Sequence, residues 1–316
     1  MKPRANPLLL FLLVAVCGVS IGLADEPPAS APRITVANGL RTVIFPVAEG
    51  AIHVLLPDEV LPGDRISCTI YVAPSGASEE DRAAHAAALG TYRLVCEQQA
   101  HPAGSAGANW LLPAQAPPEG FALVLENARG ETVSLARIPA SNGPVQTYRA
   151  FRLPSVGQAH RVITITGPFD GDSSTTRLKC EDDELRLLAE SPRKLVAFNT
   201  SAQTGPKLLT LRKGDRTAEA DFRSVAVVLA APNTALTKGE ATTLTVTIHG
   251  LDGLAKPLTF ALENTSTDVI TLSNGDSERF VIGPAEVADG RASVIRSITA
   301  LKRGSWQIDC SVVVVE

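Results

Sequence analysis

The sequence has few aromatic residues, a single methionine and no excess of basic charge. Aromatic residues make up 4% of its 316 residues, so a hydrophobic core has to be built mainly from Val, Leu, Ile and Ala. Lys and Arg number 29 against 33 Asp and Glu, and the formal net charge of −4 comes without a basic block. A mildly acidic chain of this kind is a poor binder of nucleic acid or of an anionic membrane surface.

Motifs that carry catalysis or bind metals are also missing. No two of the five histidines have a metal-ligand spacing such as H-x-H, and no C-x-x-C pair occurs. A G-x-S-x-G elbow and a glycine-rich phosphate loop are absent as well. We therefore expect no cofactor and no enzyme activity. The alternative is an enzyme with an unrecognised site in the first domain, near residues 73–90 or 100–120.

The first 24 residues are typical of a cleaved signal peptide. Basic residues precede an apolar run from Leu8 to Val16, and Gly22 to Ala24 fit a cleavage site. The apolar run is too short for a stable membrane span, and no later run reaches spanning length. A lipoprotein anchor at Cys17 is disfavoured by the bulky valine before it. We predict an exported protein, periplasmic or extracellular, without a membrane span.

Short β-strands with frequent turns are predicted for the rest of the chain. Runs with period-two alternation recur, and the 24 Gly and 22 Pro are spread along the sequence rather than clustered. The turn from Asn127 to Gly130, between two β-rich runs, predicts one hairpin. Asn38-Gly39 between two β-rich runs predicts another, because both turn residues need positive φ. This hairpin either opens the following domain or adds an arm to a neighbouring sheet edge. Residues 78–89, flanked by Ser78 and Gly90, predict one short helix.

The predicted fold class is all-β, with tandem immunoglobulin-like β-sandwiches and one short helix in the first domain. Five parts are predicted along the chain: a signal peptide at 1–24, an N-terminal lead and hairpin at 25–49, a β-sandwich domain with insertions at 50–154, a second domain at 155–223 and an immunoglobulin-like β-sandwich domain at 224–316. Within the first domain, residues 100–120 are predicted to form a long loop.

The second domain carries a family resemblance. A strand that ends in Ile165-Thr-Gly-Pro-Phe169 is followed by β-rich segments at 178–180, 191–196 and 205–211. This order resembles the IPT/TIG immunoglobulin-like domain. The third domain is similar in its strand order, and in the turn from Thr237 to Glu240, to bacterial immunoglobulin-like modules of exported proteins. The resemblance implies a spacer, an adhesive or carbohydrate-contacting domain, or an interaction module.

Four cysteines remain after the signal segment, and an exported chain can form disulfides. Cys68 and Cys96 lie on the apolar sides of consecutive predicted strands. A bridge between them would stabilise the fold by about 3–4 kcal/mol. We predict this disulfide, and the alternative is two buried free thiols. Cys180 and Cys310 fall in different predicted domains and are expected to be buried thiols.

An acidic segment follows the IPT/TIG-like strand. Asp170 and Asp172 occupy positions similar to those of an EF-hand loop, but Thr175 stands where the sharp turn needs glycine. A solvated turn is the favoured interpretation. A weak calcium site formed by Asp170, Asp172 and Asp182 is the alternative.

Trp110 lies in the predicted loop at 100–120. A tryptophan in a loop either packs down onto a sheet or serves as an exposed anchor for a partner. We favour packing, although Trp110 with Tyr92 or Tyr148 is the best aromatic candidate for a contact surface.

The sequence therefore predicts an exported, non-catalytic structural or interaction protein of the bacterial envelope or the extracellular space. It would bind a protein partner through sheet edges and inter-strand loops. A carbohydrate-binding accessory module is the alternative, and the low aromatic content counts against it because such a module would present exposed aromatic rings.

Overall fold

The computed structural model describes residues 31–47, 50–74, 91–141 and 146–314. These residues form β-strands and two short 3-10 helices, Ser173–Thr175 and Pro284–Glu286, which confirms the all-β prediction. The signal segment at 1–24 and the helix predicted at 78–89 lie outside the described residues. Within the described ranges, no helix is long and apolar enough to cross a membrane.

Nine strands precede residue 150. They are β1 (Arg33–Ala37), β2 (Leu40–Val47), β3 (Gly50–Pro57), β4 (Arg65–Pro74), β5 (Arg93–Cys96), β6 (Gln99–Pro102), β7 (Gly107–Leu111), β8 (Phe121–Glu126) and β9 (Thr132–Ile138).

The later strands are β10 (Val156–Gln158), β11 (Val162–Thr166), β12 (Thr176–Cys180), β13 (Asp183–Glu184), β14 (Arg186–Ser191), β15 (Lys194–Phe198), β16 (Gly205–Lys213), β17 (Arg216–Ala230), β18 (Ala241–His249), β19 (Leu258–Asn264), β20 (Ile270–Leu272), β21 (Ser277–Ile282), β22 (Arg291–Ala300) and β23 (Ile308–Val313).

The chain divides into two compact units. Of the described residues, the first unit comprises those up to Phe151 together with Thr166–Thr175 and Leu187–Val196, and the second comprises Arg152–Ile165, Thr176–Arg186 and those from Ala197 onward.

The first unit contains two sheets that share one hydrophobic core. One sheet includes the run of neighbouring strands β1-β2-β3-β4-β14-β15, with β7 also paired to β4, and the other has the order β6-β5-β8-β9. Successive side chains of a strand point to opposite faces, and β8 accordingly buries Phe121, Leu123 and Leu125. Phe45 from the first sheet and Leu94 from the second belong to the same buried cluster. The unit is therefore built as a β-sandwich.

Both hairpins predicted from the sequence are present in the first unit. Asn38 and Gly39 have φ values of 52° and 79° and connect β1 to β2, which continues into β3 of the same sheet. The turn before Glu131 connects β8 to β9 in antiparallel register, with a β-bulge near Glu126.

The segment predicted as a long loop at 100–120 contains regular structure. Its β7 pairs with β4 from Arg65↔Leu111 to Thr69↔Gly107. Alternation within β7 turns Ala108 and Trp110 into the core. Small residues and turn formers hid this strand, because their composition resembles that of a loop.

The second unit also contains two sheets around one core. The larger has the order β13-β12-β16-β17-β18-β22-β20, with β10 running parallel to β17, and the smaller has the order β21-β19-β23. Val246 and Ile248 of β18 meet Phe260 and Leu262 of β19 in this core. The 15-residue β17 pairs with β16 through residues 216–224 and with β18 through residues 226–230.

Candidate partner-binding surface

The aromatic residues predicted as a contact surface have three different environments. Trp110 is fully buried in the core of the first unit, with the His101 ring edge-on at a centroid distance of 5.8 Å. Tyr92 is partly buried against the same core, and the Tyr148 hydroxyl donates a hydrogen bond to the Gln146 side chain. Trp110 is thus a core residue rather than an exposed anchor, because the alternation of β7 directs its ring inward.

The predicted disulfide between Cys68 and Cys96 is not formed in the structure. Both residues are buried free thiols in the core of the first unit, and Cys180 and Cys310 are buried free thiols as well. Burial raises the pKa of Cys96 to about 12 and also raises the pKa of Cys68. In the structure, these side chains therefore pack as small hydrophobic groups that are protonated at neutral pH.

Two carboxylates of the alternative calcium site, Asp170 and Asp172, accept hydrogen bonds within the turn that the sequence analysis favours. Asp170 accepts a hydrogen bond from the Asp172 amide at 2.9 Å, and Asp172 accepts one from the Ser174 amide at 3.1 Å. Asp182 is exposed. Among the described residues, no group of three or more His, Cys, Asp or Glu side chains is arranged to hold a metal ion. The acidic segment is therefore a hydrogen-bonded turn in this structure.

A buried histidine in the first unit is held as a neutral group. The rings of His53 and Tyr71 stack with their centroids 4.6 Å apart, and the tyrosine hydroxyl lies 3.0 Å from His53 Nδ1. Burial lowers the pKa of His53 to about 4, so the imidazole is uncharged at pH 7. This pair contributes packing and one hydrogen bond.

A shallow groove of about 530 Å³ lies beside the turn between β5 and β6. Its lining is made up of Gly63, Glu97, Gln98 and the segment from Leu111 to Ala114. The one titratable side chain in this lining, Glu97, accepts a hydrogen bond from the Ala122 amide at 3.2 Å. The groove therefore presents a single engaged carboxylate and an apolar wall.

An apolar band crosses the outer face of the four-stranded sheet in the first unit. The register places Val95 opposite Val124, and Val124 opposite Leu135 of β9. Leu135 is 40% exposed, and Val133 on the same strand is 42% exposed. We refer to Val95, Val124, Val133 and Leu135 as the β9 band. The inward residues of the same strands fill the core, so the band is the unburied side of an alternating pattern.

Charged residues border the β9 band. Arg93 forms an ion pair with Glu126 at 2.7 Å, and Arg137 lies 3.6 Å from Glu119. An apolar centre with a polar rim is the usual composition of a protein–protein contact. In addition, β9 is the last strand of its sheet, and no described strand pairs with its outer edge. The band thus combines an apolar face with a strand edge that is open to further pairing.

The chain matches no protein-family model and no curated protein sequence. The resemblance of residues 155–223 to the IPT/TIG domain is therefore not supported by a family match and stays a prediction.

Several solved structures show a weak likeness. One of them is SGBP-B of the mixed-linkage glucan utilization locus of Bacteroides ovatus, in complex with a mixed-linkage heptasaccharide. The identity is 12%, the coverage is 92% of this chain and 75% of that chain, and the TM-score is 0.30. For the Plexin A4 extracellular region the identity is 15%, the coverage is 92% of this chain and 23% of that chain, and the TM-score is 0.26. For the Escherichia coli adhesin FdeC the identity is 14%, the coverage is 93% and 95%, and the TM-score is 0.19. These neighbours are extracellular or glycan-bound proteins, and at these scores they carry no argument about function.

Proposed function

We propose that this chain is an exported, non-catalytic interaction protein that binds an extended segment of a protein partner at the β9 band. The single observation that carries the proposal is the coincidence of exposed aliphatic side chains with an open strand edge on β9. Backbone hydrogen bonds along an edge supply affinity, and side-chain contacts on alternate residues supply specificity. The surface offers no nucleophile or acid–base pair, so its chemistry suits recognition.

The partner segment is expected to be apolar on one face and mixed in charge at its ends. Leu135 and Val133 would pack against aliphatic side chains of the added strand. The rim residues Arg93 and Glu126 already neutralise each other, so the band itself favours neither sign of charge. An aliphatic β-strand with polar flanks fits this surface.

A charge placed in the band tests the proposal. In Leu135→Lys, the partner would cover an ammonium group where it now covers the exposed part of a leucine. The lost apolar contact and the desolvation of the charge together are worth about 1.5–3 kcal/mol. We therefore expect the affinity for the partner to fall by about 10- to 100-fold. The matched control is Val228→Lys, because Val228 is 49% exposed on the second unit and lies outside the band.

The measurement is capture from an envelope extract, followed by hydrogen exchange on the purified complex. The proposal requires that wild type and Val228→Lys retain a protein that Leu135→Lys loses, and that β9 amides gain protection in the complex. A partner retained equally by all three proteins would contradict it. Retention of a polysaccharide instead would favour the carbohydrate-binding alternative.

A further inference from the structure

The N-terminal edge strand β1 is exposed along its whole length. All five of its residues are solvent-exposed, including Ile34 at 39% and Val36 at 59%. It pairs with β2 on one side and ends the strand order of its sheet, with no described strand beyond it. Proteins usually protect such an edge with charged residues, prolines or bulges. The central Ile34-Thr35-Val36 has none of these.

The register of the hairpin shows which backbone groups of β1 point outward. The two-residue Asn38-Gly39 turn makes Ala37 and Leu40 the closing pair, and in such a hairpin this pair exchanges hydrogen bonds. Hydrogen-bonded and non-hydrogen-bonded pairs alternate along an antiparallel ladder. Arg33, Thr35 and Ala37 therefore bond to β2, whereas the N–H and C=O groups of Ile34 and Val36 face the open edge.

A proline in β2 agrees with this assignment. By the same alternation, the amide position of Pro46 faces the β1 side of the strand, where it has no hydrogen to donate. The ladder between β1 and β2 accordingly ends at Arg33↔Ile44, before it reaches Pro46.

The exposed side chains of β1 continue the core face of the sheet. Ile34 lies opposite Val43, which is fully buried in the core of the first unit. Since opposed residues point to the same face, Ile34 extends the apolar face past the edge of the core, and Val36 lies on that face opposite the buried Arg41. An added strand at this edge would lengthen that apolar face.

We propose that β1 pairs antiparallel with β1 of a second copy of this chain, about a two-fold axis at Thr35. In this register Ile34 of one copy lies opposite Val36 of the other, so the outward backbone groups meet in about four hydrogen bonds, two for each hydrogen-bonded pair. This pairing also places the β-branched side chains of Ile34 and Val36 from both copies on one face. A two-fold contact must be self-complementary, and the Thr35 register meets this requirement because each copy contributes the same strand.

A two-fold axis placed one residue to either side of Thr35 gives a less favourable strand pairing. An axis at Val36 would bring Asn38 of the turn into the ladder, where its backbone already curves away at φ 52°. An axis at Ile34 would set Val36 against Pro32, which lacks an amide hydrogen.

Repulsion between the two Arg33 side chains does not oppose the Thr35 register. Arg33 lies opposite Ala37 of the second copy, and the two Arg33 residues are about 13 Å apart along the ladder. That separation exceeds the screening length of about 8 Å in physiological salt.

The contact is short and predicts weak association. A five-residue strand pair lies well below the size of a stable standard interface, so we expect dissociation constants in the micromolar range or weaker. This surface is separate from the β9 band, so the two proposals can fail independently.

Cysteine cross-linking tests the register. Thr35 is opposite its own symmetry mate in a non-hydrogen-bonded pair, where Cα atoms lie about 4.5 Å apart. This distance is within the range of a disulfide. We expect Thr35→Cys to form a covalent dimer on mild oxidation of the full chain, and Arg33→Cys or Ala37→Cys alone not to do so. A mixture of Arg33→Cys and Ala37→Cys should cross-link as a heterodimer.

Sedimentation of the uncross-linked protein supplies a second readout. Val36→Lys places two ammonium groups in the ladder and should weaken self-association by at least about tenfold. Val228→Lys is the control and should leave it unchanged. A wild type that stays monomeric at high micromolar concentration, or an Arg33→Cys chain that cross-links as readily as Thr35→Cys, would overturn the inference. Leu135→Lys should leave self-association intact, which separates this result from the test of the β9 band.

Discussion

Asp64 and Arg193 form a buried ion pair in the first unit. Their side chains are 8% and 10% exposed, and both guanidinium Nη atoms of Arg193 donate to the Asp64 carboxylate. Asp64 Oδ2 also accepts the Leu61 amide at 2.8 Å. The two residues are 129 positions apart in the sequence, and no local pattern links them. A buried charge that loses its partner is left without solvation, so the pair is costly to break.

Removal of Arg193 tests how costly the buried ion pair is to break. We expect Arg193→Met to lower the free energy of unfolding of the first unit by about 3–5 kcal/mol. Arg93→Met is the control, since Arg93 is 51% exposed in its ion pair and such pairs contribute about 0–1 kcal/mol. Urea unfolding followed by Trp110 fluorescence, in a Trp306→Phe background, reports on the first unit. Equal costs for the two variants would contradict the assignment.

The strand that carries Trp110 is harder to recognise from the sequence than the packing of its ring. The sequence favours a packed Trp110 over an exposed anchor, and the residue is fully buried. The alternation of Ala108, Trp110 and Leu112, all buried, was the signal that identifies a strand. Turn-forming residues on both sides masked that signal.

Turns with left-handed backbone geometry position several strands of the first unit. Gly171 has a φ of +76°, and a Cβ at this position would lie 1.8 Å from the Arg65 carbonyl oxygen. The Ser67 hydroxyl donates to the Gly171 carbonyl at 2.7 Å and holds the turn against β4. Gly130 has the same φ of +76°, but its nearest contact is the Arg93 side chain at an ordinary 3.7 Å.

Alanine substitutions at Gly130 and Gly171 separate the cost of left-handed backbone geometry from the cost of close approach to β4. Gly130→Ala should cost about 1–2 kcal/mol, the strain of a left-handed residue. Gly171→Ala should add about 1–3 kcal/mol for the clash with the β4 backbone. Thermal unfolding of the two variants measures the difference. If both variants lose the same stability, the close approach at Gly171 is not a structural constraint.

Strand β17 is the longest element of the second unit and joins two ladders. It runs without interruption through the predicted boundary between residues 223 and 224. Within it, Arg223 donates to the carbonyl oxygens of Gly250 at 2.8 Å and Asp252 at 2.9 Å. Continuous pairing on both sides of that boundary implies that the backbone there is protected from proteases.

Limited trypsin digestion tests this protection at the scale of the whole molecule. We expect early cleavage after Lys238, which is exposed in a turn, and none after Arg223. Mass spectrometry of the first fragments identifies the sites. A fragment ending at Arg223 among the earliest products would show that the two ladders of β17 open separately.

The sequence by itself determined the all-β class and the two hairpins, because strand alternation and turn chemistry are local properties of consecutive residues. Only the tertiary structure decided which strands share a sheet, that Trp110 is buried, that Asp64 meets Arg193, and that β1 and β9 end their sheets. Each of these depends on contacts between residues far apart in the chain. The sequence pattern of an edge strand differs little from that of an interior strand, so the candidate binding edges became visible only in the folded molecule.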